Sequence, residues 1–386
     1  MNICIIGWYG SETLGDRSIL LGLAKVFNDT YPKTTIYLGS MNLFYSERCL
    51  FEDRNIYKLL APNVKISLFD IKDKNEYRNI INKSYMVAMG GGPIMDLHEL
   101  SVIQYGFRYA KKQSIKTALL GCGIGPLLRD KFKKIVADIL VKSDLSIFRD
   151  PNSVLTANVI VREYGEIMNT PIYSLHDPAI IPIGVFKKYK DTNINNNNYL
   201  LISMRDFPAR IFESTKNASL DQNFAQILIK LSASYEKIIL APMHTFSHGN
   251  DDRIYLSELK HMANCNNIEV IQKPLNVFQM FSLIKNASAC IGMRYHSIVF
   301  QTYLNGKNAI IDYTYPGVGK IASYLDQING KEQFKKLYIN LHDGKVKYDE
   351  FIDNVSNINS VDPFSFDENV FDETSNSYSK IIKDNI

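Results

Sequence analysis

Short apolar runs alternate with longer stretches of helical period along most of the chain. Asn2–Ile6, Thr35–Leu38, Val64–Phe69, Tyr85–Met89, Thr117–Leu120 and Asp144–Phe148 read as buried strands. Between them, Arg17–Phe27, Leu97–Lys112 and Lys131–Val141 carry apolar residues at the spacing of helices that pack on a sheet. Buried apolar strands separated by helices predict a mostly parallel sheet with right-handed crossovers. The pattern restarts after a polar stretch. Strands are expected at Tyr199–Ser203, Lys237–Leu240, Ile268–Ile271, Ala287–Ile291 and Ala309–Ile311. The matching helices are Leu220–Ser234, Ile254–Cys265, Val277–Lys285, Ser297–Leu304 and Gly319–Gln327.

The expected organisation is therefore α/β, with two Rossmann-like doubly wound domains. Residues 1–183 form the first, and 184–198 form a linker that ends in four consecutive asparagines. Residues 199–335 form the second domain. Residues 336–386 read as a polar tail whose helical pieces, Tyr348–Val355 and Ser377–Lys383, dock on the domains. Two such halves facing across a cleft make a GT-B-like arrangement.

Composition excludes more than it assigns. With 44 Lys plus Arg against 40 Asp plus Glu, the net charge of +4 is no nucleic-acid footprint. No stretch approaches the roughly 20 apolar residues that span a bilayer, and the start lacks the features of a secretory signal. Cys4, Cys49, Cys122, Cys265 and Cys290 are odd in number and scattered, which fits free thiols in a reducing compartment. A cytoplasmic location is the expectation. Basic clusters at 129–134 and 186–190 would suit the inner face of a membrane, although solvated surface accounts for them more simply.

In open parallel sheets the chemistry lies past the carboxyl ends of the strands. The first such loop, Gly7 to Asp16, lacks the dinucleotide-binding glycine spacing, and Asp16 falls near a helix N-terminus. In Met89-Gly90-Gly91-Gly92-Pro93, the glycines either present amides to a ligand or simply make a turn. Phe148-Arg149-Asp150-Pro151 ends a strand at an arginine, with Asp150 placed to cap a helix that starts at Pro151. Arg149 is expected to project from that strand end into the cleft, and a solvated or structurally paired arginine is the alternative.

The sharpest element is Gly292-Met293-Arg294-Tyr295-His296-Ser297, where a strand breaks into a helix. A guanidinium fork and a helix N-terminus together suit a phosphate or carboxylate, and the imidazole is placed to move a proton. Lys320 opens a further helix, where its charge is unfavourable unless an anion offsets it. His244 and His248 follow another strand near Asp251 and Asp252. Pro242 and Gly249 argue for a loop rather than a helical metal site; sugar contact is one reading for His244, beside a purely structural one. No metal is expected.

These pieces resemble the polysaccharide pyruvyl transferase family. The likeness rests on Gly90-Gly91-Gly92, Phe148-Arg149-Asp150, His176-Asp177-Pro178-Ala179, Pro242-Met243-His244 and above all Gly292 to Ser297. It implies a cytoplasmic enzyme that uses phosphoenolpyruvate, as a substrate and without a cofactor, to place a pyruvate ketal on a sugar of a surface or capsular polysaccharide precursor. It assigns Arg149, Arg294, His296 and Lys320 to phosphoenolpyruvate, with His296 as general acid and Arg294 and Arg149 beside it. Gly91, Gly92, Asp16 and His244 go to the acceptor, for which a lipid-linked oligosaccharide is one form. The family's Asn-any-Gly-Asp pattern in the first loop is here Thr13-Leu14-Gly15-Asp16. Two other readings stand beside this one: a GT-B glycosyltransferase that uses a nucleotide sugar, and a non-catalytic glycan-binding relative.

Overall fold

A computed structural model describes residues 1–167, 170–189, 198–206, 214–317 and 319–386. The chain divides into two compact units, residues 1–185 with 368–386, and residues 186–367.

The first unit is built on β1 (Asn2–Ile6), β2 (Thr34–Ser40), β3 (Val64–Asp70), β4 (Met86–Gly90), β5 (Pro93–Ile94), β6 (Lys116–Ile124), β7 (Leu145–Phe148) and β8 (Ile172–Ser174). The order across the sheet is β3-β2-β1-β4-β6-β7-β8, with the short β5 on β6, and every pairing is parallel. Order reverses between β1 and β4, so the loops after those strands meet at the switch point. Both faces are covered, as the continuous apolar strands require. One core layer joins Cys4, Ile6, Val87, Met89 and Leu119 of the sheet to Ile103, Phe107, Val136 and Leu140 of the helices.

The second unit repeats the scheme with β9 (Tyr199–Ser203), β10 (Lys237–Leu240), β11 (Ile268–Val270), β12 (Ala289–Gly292), β13 (Asn308–Asp312) and β14 (Tyr338–Asn340). Its order is β11-β10-β9-β12-β13-β14, again all parallel, with the switch point between β9 and β12.

The boundaries differ from the expected ones in two places. Residues 184–189, expected as linker, continue the helix Ile181–Tyr189, because Phe186 buries its ring against Phe278 and Phe281. The asparagine run at 195–197 lies outside the described residues. The C-terminal stretch is also not one tail. Tyr348–Ser356 packs in the second unit, where the Tyr235 hydroxyl donates to the Val355 carbonyl at 2.9 Å. Val370–Asn385 belongs to the first, where the Tyr378 hydroxyl donates to the His176 carbonyl at 3.2 Å. Among the described residues no helix is long and apolar enough to cross a membrane.

Candidate functional site

At the switch point of the second unit, two arginines from strand ends and a lysine from a helix start lie near one phenol. Arg294 follows β12 and N-caps the helix Tyr295–Leu304. Gly292 permits this tight passage from strand to helix, since a Cβ there would lie 2.6 Å from Gln301 Oε1 and 2.9 Å from Ile298 Cγ1. Arg205 follows β9, directly across the switch point, and its Nε donates to the Asp206 carbonyl at 3.0 Å. Lys320 opens the helix Lys320–Gln327 and holds its Nζ 5.4 Å from the centre of the Tyr313 ring. Tyr313 is the first residue after β13 and is buried. Lys320 and Arg205 both favour its ionised form.

A buried carboxylate orients the fork. Asp252, 1% exposed in its side chain, accepts the Arg294 Nε at 2.9 Å on Oδ2 and an Arg294 terminal nitrogen on Oδ1. The same Oδ2 takes the backbone amides of Met243 at 3.1 Å and His244 at 3.0 Å. Four donors therefore converge on one carboxylate, locking the guanidinium and the loop after β10 to each other. His296 lies in the first turn after Arg294, edge-on to Tyr295 with ring centres 5.0 Å apart and beside Phe300. It is 9% exposed, so the ring is held by its neighbours rather than swinging in solvent.

The electrostatics point one way. The like charge of Arg294, followed by burial, pushes Arg205 below the usual arginine range. Burial pushes Tyr313 up, yet Lys320, Arg205 and Arg294 bring it down to about 8. Two guanidiniums and an ammonium drawn together on a half-buried surface repel one another, and an anion between them offsets that repulsion.

Of the residues singled out in the sequence, Arg294 and Lys320 lie near Tyr313, and His296 follows Arg294 by two positions. His244 is present in a different role from the one expected. It is 3% exposed, its Nε2 lies 2.7 Å from the His248 carbonyl, and its ring packs edge-on to Phe246. The ring thus braces the loop after β10. No group of histidines, cysteines and carboxylates among the described residues has the arrangement of a metal centre.

The remaining candidates lie in the first unit, and each is engaged in holding it together. Arg149, expected to project from its strand end, is 1% exposed, with a terminal nitrogen 3.2 Å from Asp177 Oδ2. Asp177 also caps the turn at Pro178–Ile180 through the Ala179 amide. A guanidinium in that setting ties β7 to the segment before the second unit. Asp150 does cap the helix Pro151–Glu163, accepting the Ser153 amide at 2.8 Å. Asp16, expected at the acceptor, closes a capping box with Thr13. Gly91 and Gly92 hold φ of +101° and +72°, and a Cβ on Gly92 would fall 2.1 Å from Trp8 Cδ1. The glycines are there because Trp8 crosses them, donating its Nε1 to the Pro93 carbonyl at 2.9 Å.

Arg205 and Tyr313 were not picked out in the sequence, and Asp252 was noted only as a neighbour of His244 and His248. Arg205 has a legible signal, because a residue just past the first strand of a doubly wound half faces its switch point. Asp252 has none, since its contact with Arg294 spans 42 positions.

Solved structures share this fold. A UDP-GlcNAc 2-epimerase of Methanocaldococcus jannaschii, in complex with UDP-GlcNAc and UDP, aligns at TM-score 0.59 and 15% identity over 99% of each chain. The Staphylococcus aureus MnaA–UDP structure aligns at TM-score 0.55 and 11% identity, covering 97% of this chain and 90% of that one. A Glycyrrhiza uralensis UGT73P12 complex with glycyrrhetinic acid 3-O-monoglucuronide aligns at TM-score 0.55 and 9% identity, covering 99% and 91%. At these identities the likeness concerns the fold alone, and it bears out the GT-B-like class. No curated protein matches the chain in sequence. The family model for polysaccharide pyruvyl transferases matches residues 14–313, a span running from the first helix to Tyr313, and the chain belongs to that family.

Proposed function

We propose that this chain transfers the pyruvyl group of phosphoenolpyruvate onto two hydroxyls of one sugar of a surface polysaccharide precursor, forming a cyclic ketal and releasing phosphate. The observation that carries this reading is the grouping of Arg205, Arg294 and Lys320 near the β9/β12 switch point, with His296 two positions after Arg294. Phosphoenolpyruvate brings a phosphate and a carboxylate, so a site with three cations matches it without a metal.

In the reaction proposed, His296 gives a proton to the methylene carbon, and C2 becomes electron-deficient. A sugar hydroxyl attacks C2 and loses its proton. The C2–O bond to phosphate then breaks, with Arg205, Arg294 and Lys320 taking up the charge that grows on the leaving group. A second hydroxyl attacks C2, closes the ring and loses its proton. Of the two protons given up, one restores His296 and one leaves with the phosphate. Asp252 acts through Arg294 by fixing its fork. Arg149, which belongs to the first unit and has a terminal nitrogen on Asp177, is left out of this donor set.

The test is mass spectrometry of candidate acceptors, free, nucleotide-bound and lipid-linked, after incubation with phosphoenolpyruvate. A pyruvate ketal increment with release of phosphate is expected. His296→Ala should abolish it while leaving phosphoenolpyruvate binding largely intact. Consumption of a nucleotide sugar and not of phosphoenolpyruvate would overturn the proposal in favour of glycosyl transfer. Unaltered turnover by His296→Ala would remove the general-acid role.

A further inference from the structure

One aromatic ring at the carboxyl edge of the second sheet is held firmly and left open. Tyr315, three residues past β13, stacks on His342, two residues past β14, with ring centres 4.7 Å apart and planes at 28°. The imidazole covers one face of the phenol ring, yet Tyr315 is 52% exposed, so its other face is open to solvent. Its hydroxyl makes no hydrogen bond among the described residues.

A run of polar groups fixes the support of that ring. Asp312, wholly buried at the end of β13, accepts the Thr314 amide at 2.7 Å and the Tyr338 hydroxyl at 2.7 Å. Asn340, at the end of β14, donates its Nδ2 to the Thr314 carbonyl at 3.0 Å and accepts the His342 amide at 2.8 Å. The Tyr313 carbonyl accepts the His342 Nε2 at 3.0 Å, so the imidazole is held by both its backbone and its ring. The loops after β13 and β14 are thereby joined beneath Tyr315. The support is continuous with the cation cluster. The Tyr315 carbonyl accepts the Gly319 amide at 3.1 Å, closing the turn from which Lys320 opens its helix. Lys320 Nζ lies 5.4 Å from the ring centre of Tyr313, the residue whose carbonyl holds His342. The open face of Tyr315 therefore belongs to the same pair of loops as the cation nearest to it.

We propose that Tyr315 is a stacking platform for the pyranose ring of the acceptor sugar. A sugar hydroxyl has to reach C2 of a donor held by the cations, so the acceptor ring comes to rest beside them. An aromatic face carries partial negative charge, and the C–H groups on one face of a pyranose are weakly positive. The sugar lays that face on the open side of Tyr315, and its hydroxyls stay free to react. The aromatic ring, and not its hydroxyl, does the binding. This rests on the acceptor part of the proposed function, which makes a sugar the group that must approach the cations.

The experiment uses the full chain with the methyl β-glycosides of galactose, glucose and N-acetylglucosamine, and with uridine monophosphate as a base-bearing probe. Saturation-transfer NMR should show transfer to the ring C–H protons of at least one glycoside, stronger on one face of the sugar. Tyr315→Ala should weaken binding of that glycoside about 3- to 10-fold, and Tyr315→Phe should retain it. Tyr315→Ala should leave the melting temperature and the affinity for sulfate, an anion probe of the cation cluster, unchanged, because the ring is exposed.

Binding of none of the glycosides, equal binding by Tyr315→Ala, or loss of binding in Tyr315→Phe overturns the inference. Tyr315-dependent binding of uridine monophosphate alone also overturns it and gives the ring to a base. Tyr315-dependent glycoside binding without consumption of phosphoenolpyruvate leaves the platform as proposed and removes pyruvyl transfer. Consumption with an acceptor KM unaltered in Tyr315→Ala does the reverse.

Discussion

Replacing Asp252 by asparagine tests whether the arginine fork is locked from beneath. The carboxylate accepts two guanidinium N–H groups and two backbone amides. Asparagine keeps the shape but offers one acceptor oxygen, and it turns an NH2 group toward donors. At least one donor pair loses its acceptor, and Arg294 is left in a site where its side chain is only 12% exposed. Removing one partner of a buried ion pair costs about 3–5 kcal/mol, and the slight exposure of Arg294 places this case near 3. In a unit of this size that loss corresponds to a melting temperature lower by about 6–12 °C. Calorimetric melting of Asp252→Asn, Arg294→Met and the double variant measures it. The double variant should lose less than the sum of the singles, because each single leaves the other's group unpaired. A melt within 2 °C of wild type for Asp252→Asn, or two losses that simply add, would refute the reasoning.

Further outcomes follow from the same geometry. Arg205→Met should raise KM for phosphoenolpyruvate about 10- to 100-fold, since a charge-assisted hydrogen bond contributes about 1.5–3 kcal/mol; steady-state kinetics against Arg149→Met shows whether the effect is specific to the donor site. His296→Ala should cut turnover about a hundred- to ten-thousand-fold with little change in donor affinity, read by single-turnover kinetics and calorimetry. Gly92→Ala should destabilise the first unit by about 2–4 kcal/mol through the left-handed backbone and the approach of Trp8, seen as an earlier urea midpoint, while sulfate affinity in the second unit is unchanged. Burial works against Asp138, yet hydrogen bonds from Arg108, Lys142 and Gln104 hold it below its ordinary 3.8. Its stabilisation is therefore full above that value and lost as pH falls below it, so Asp138→Asn should flatten the acid limb of stability measured by urea titration between pH 5 and 2.

The periodicity alone located most of the framework. Asn2–Ile6, Tyr199–Ser203, Lys237–Leu240 and Val277–Lys285 appear with the bounds expected of them, while the helices Ser214–Ser232 and Val370–Asn385 begin six and seven residues before the expected Leu220 and Ser377. These segments are legible because an apolar run covered on both faces has no polar positions to obscure it. The helices Leu43–Leu60 and Lys74–Lys83 were not anticipated. Leu43–Leu60 leaves Phe44 and Phe51 exposed and buries Asp53 on Arg17, so its pattern is set by an ion pair with the first helix. Lys74–Lys83 buries only Tyr77, Ile80 and Ile81, too few apolar positions to stand out.

The sequence by itself determined two doubly wound halves and the one motif, Gly292 to Ser297, whose chemistry is local. A strand break, a fork, a helix start and an imidazole all fall within six residues there, so spacing alone brings them together. Only the tertiary structure decided which of the other charged residues joined them. Arg149 and Arg205 both end apolar strands and look alike in sequence. One is buried with a terminal nitrogen on Asp177, while the other lies half-buried at the switch point opposite Arg294. The difference lies in what arrives from distant parts of the chain, and a charge's effect is set by the partners within a few ångströms of it.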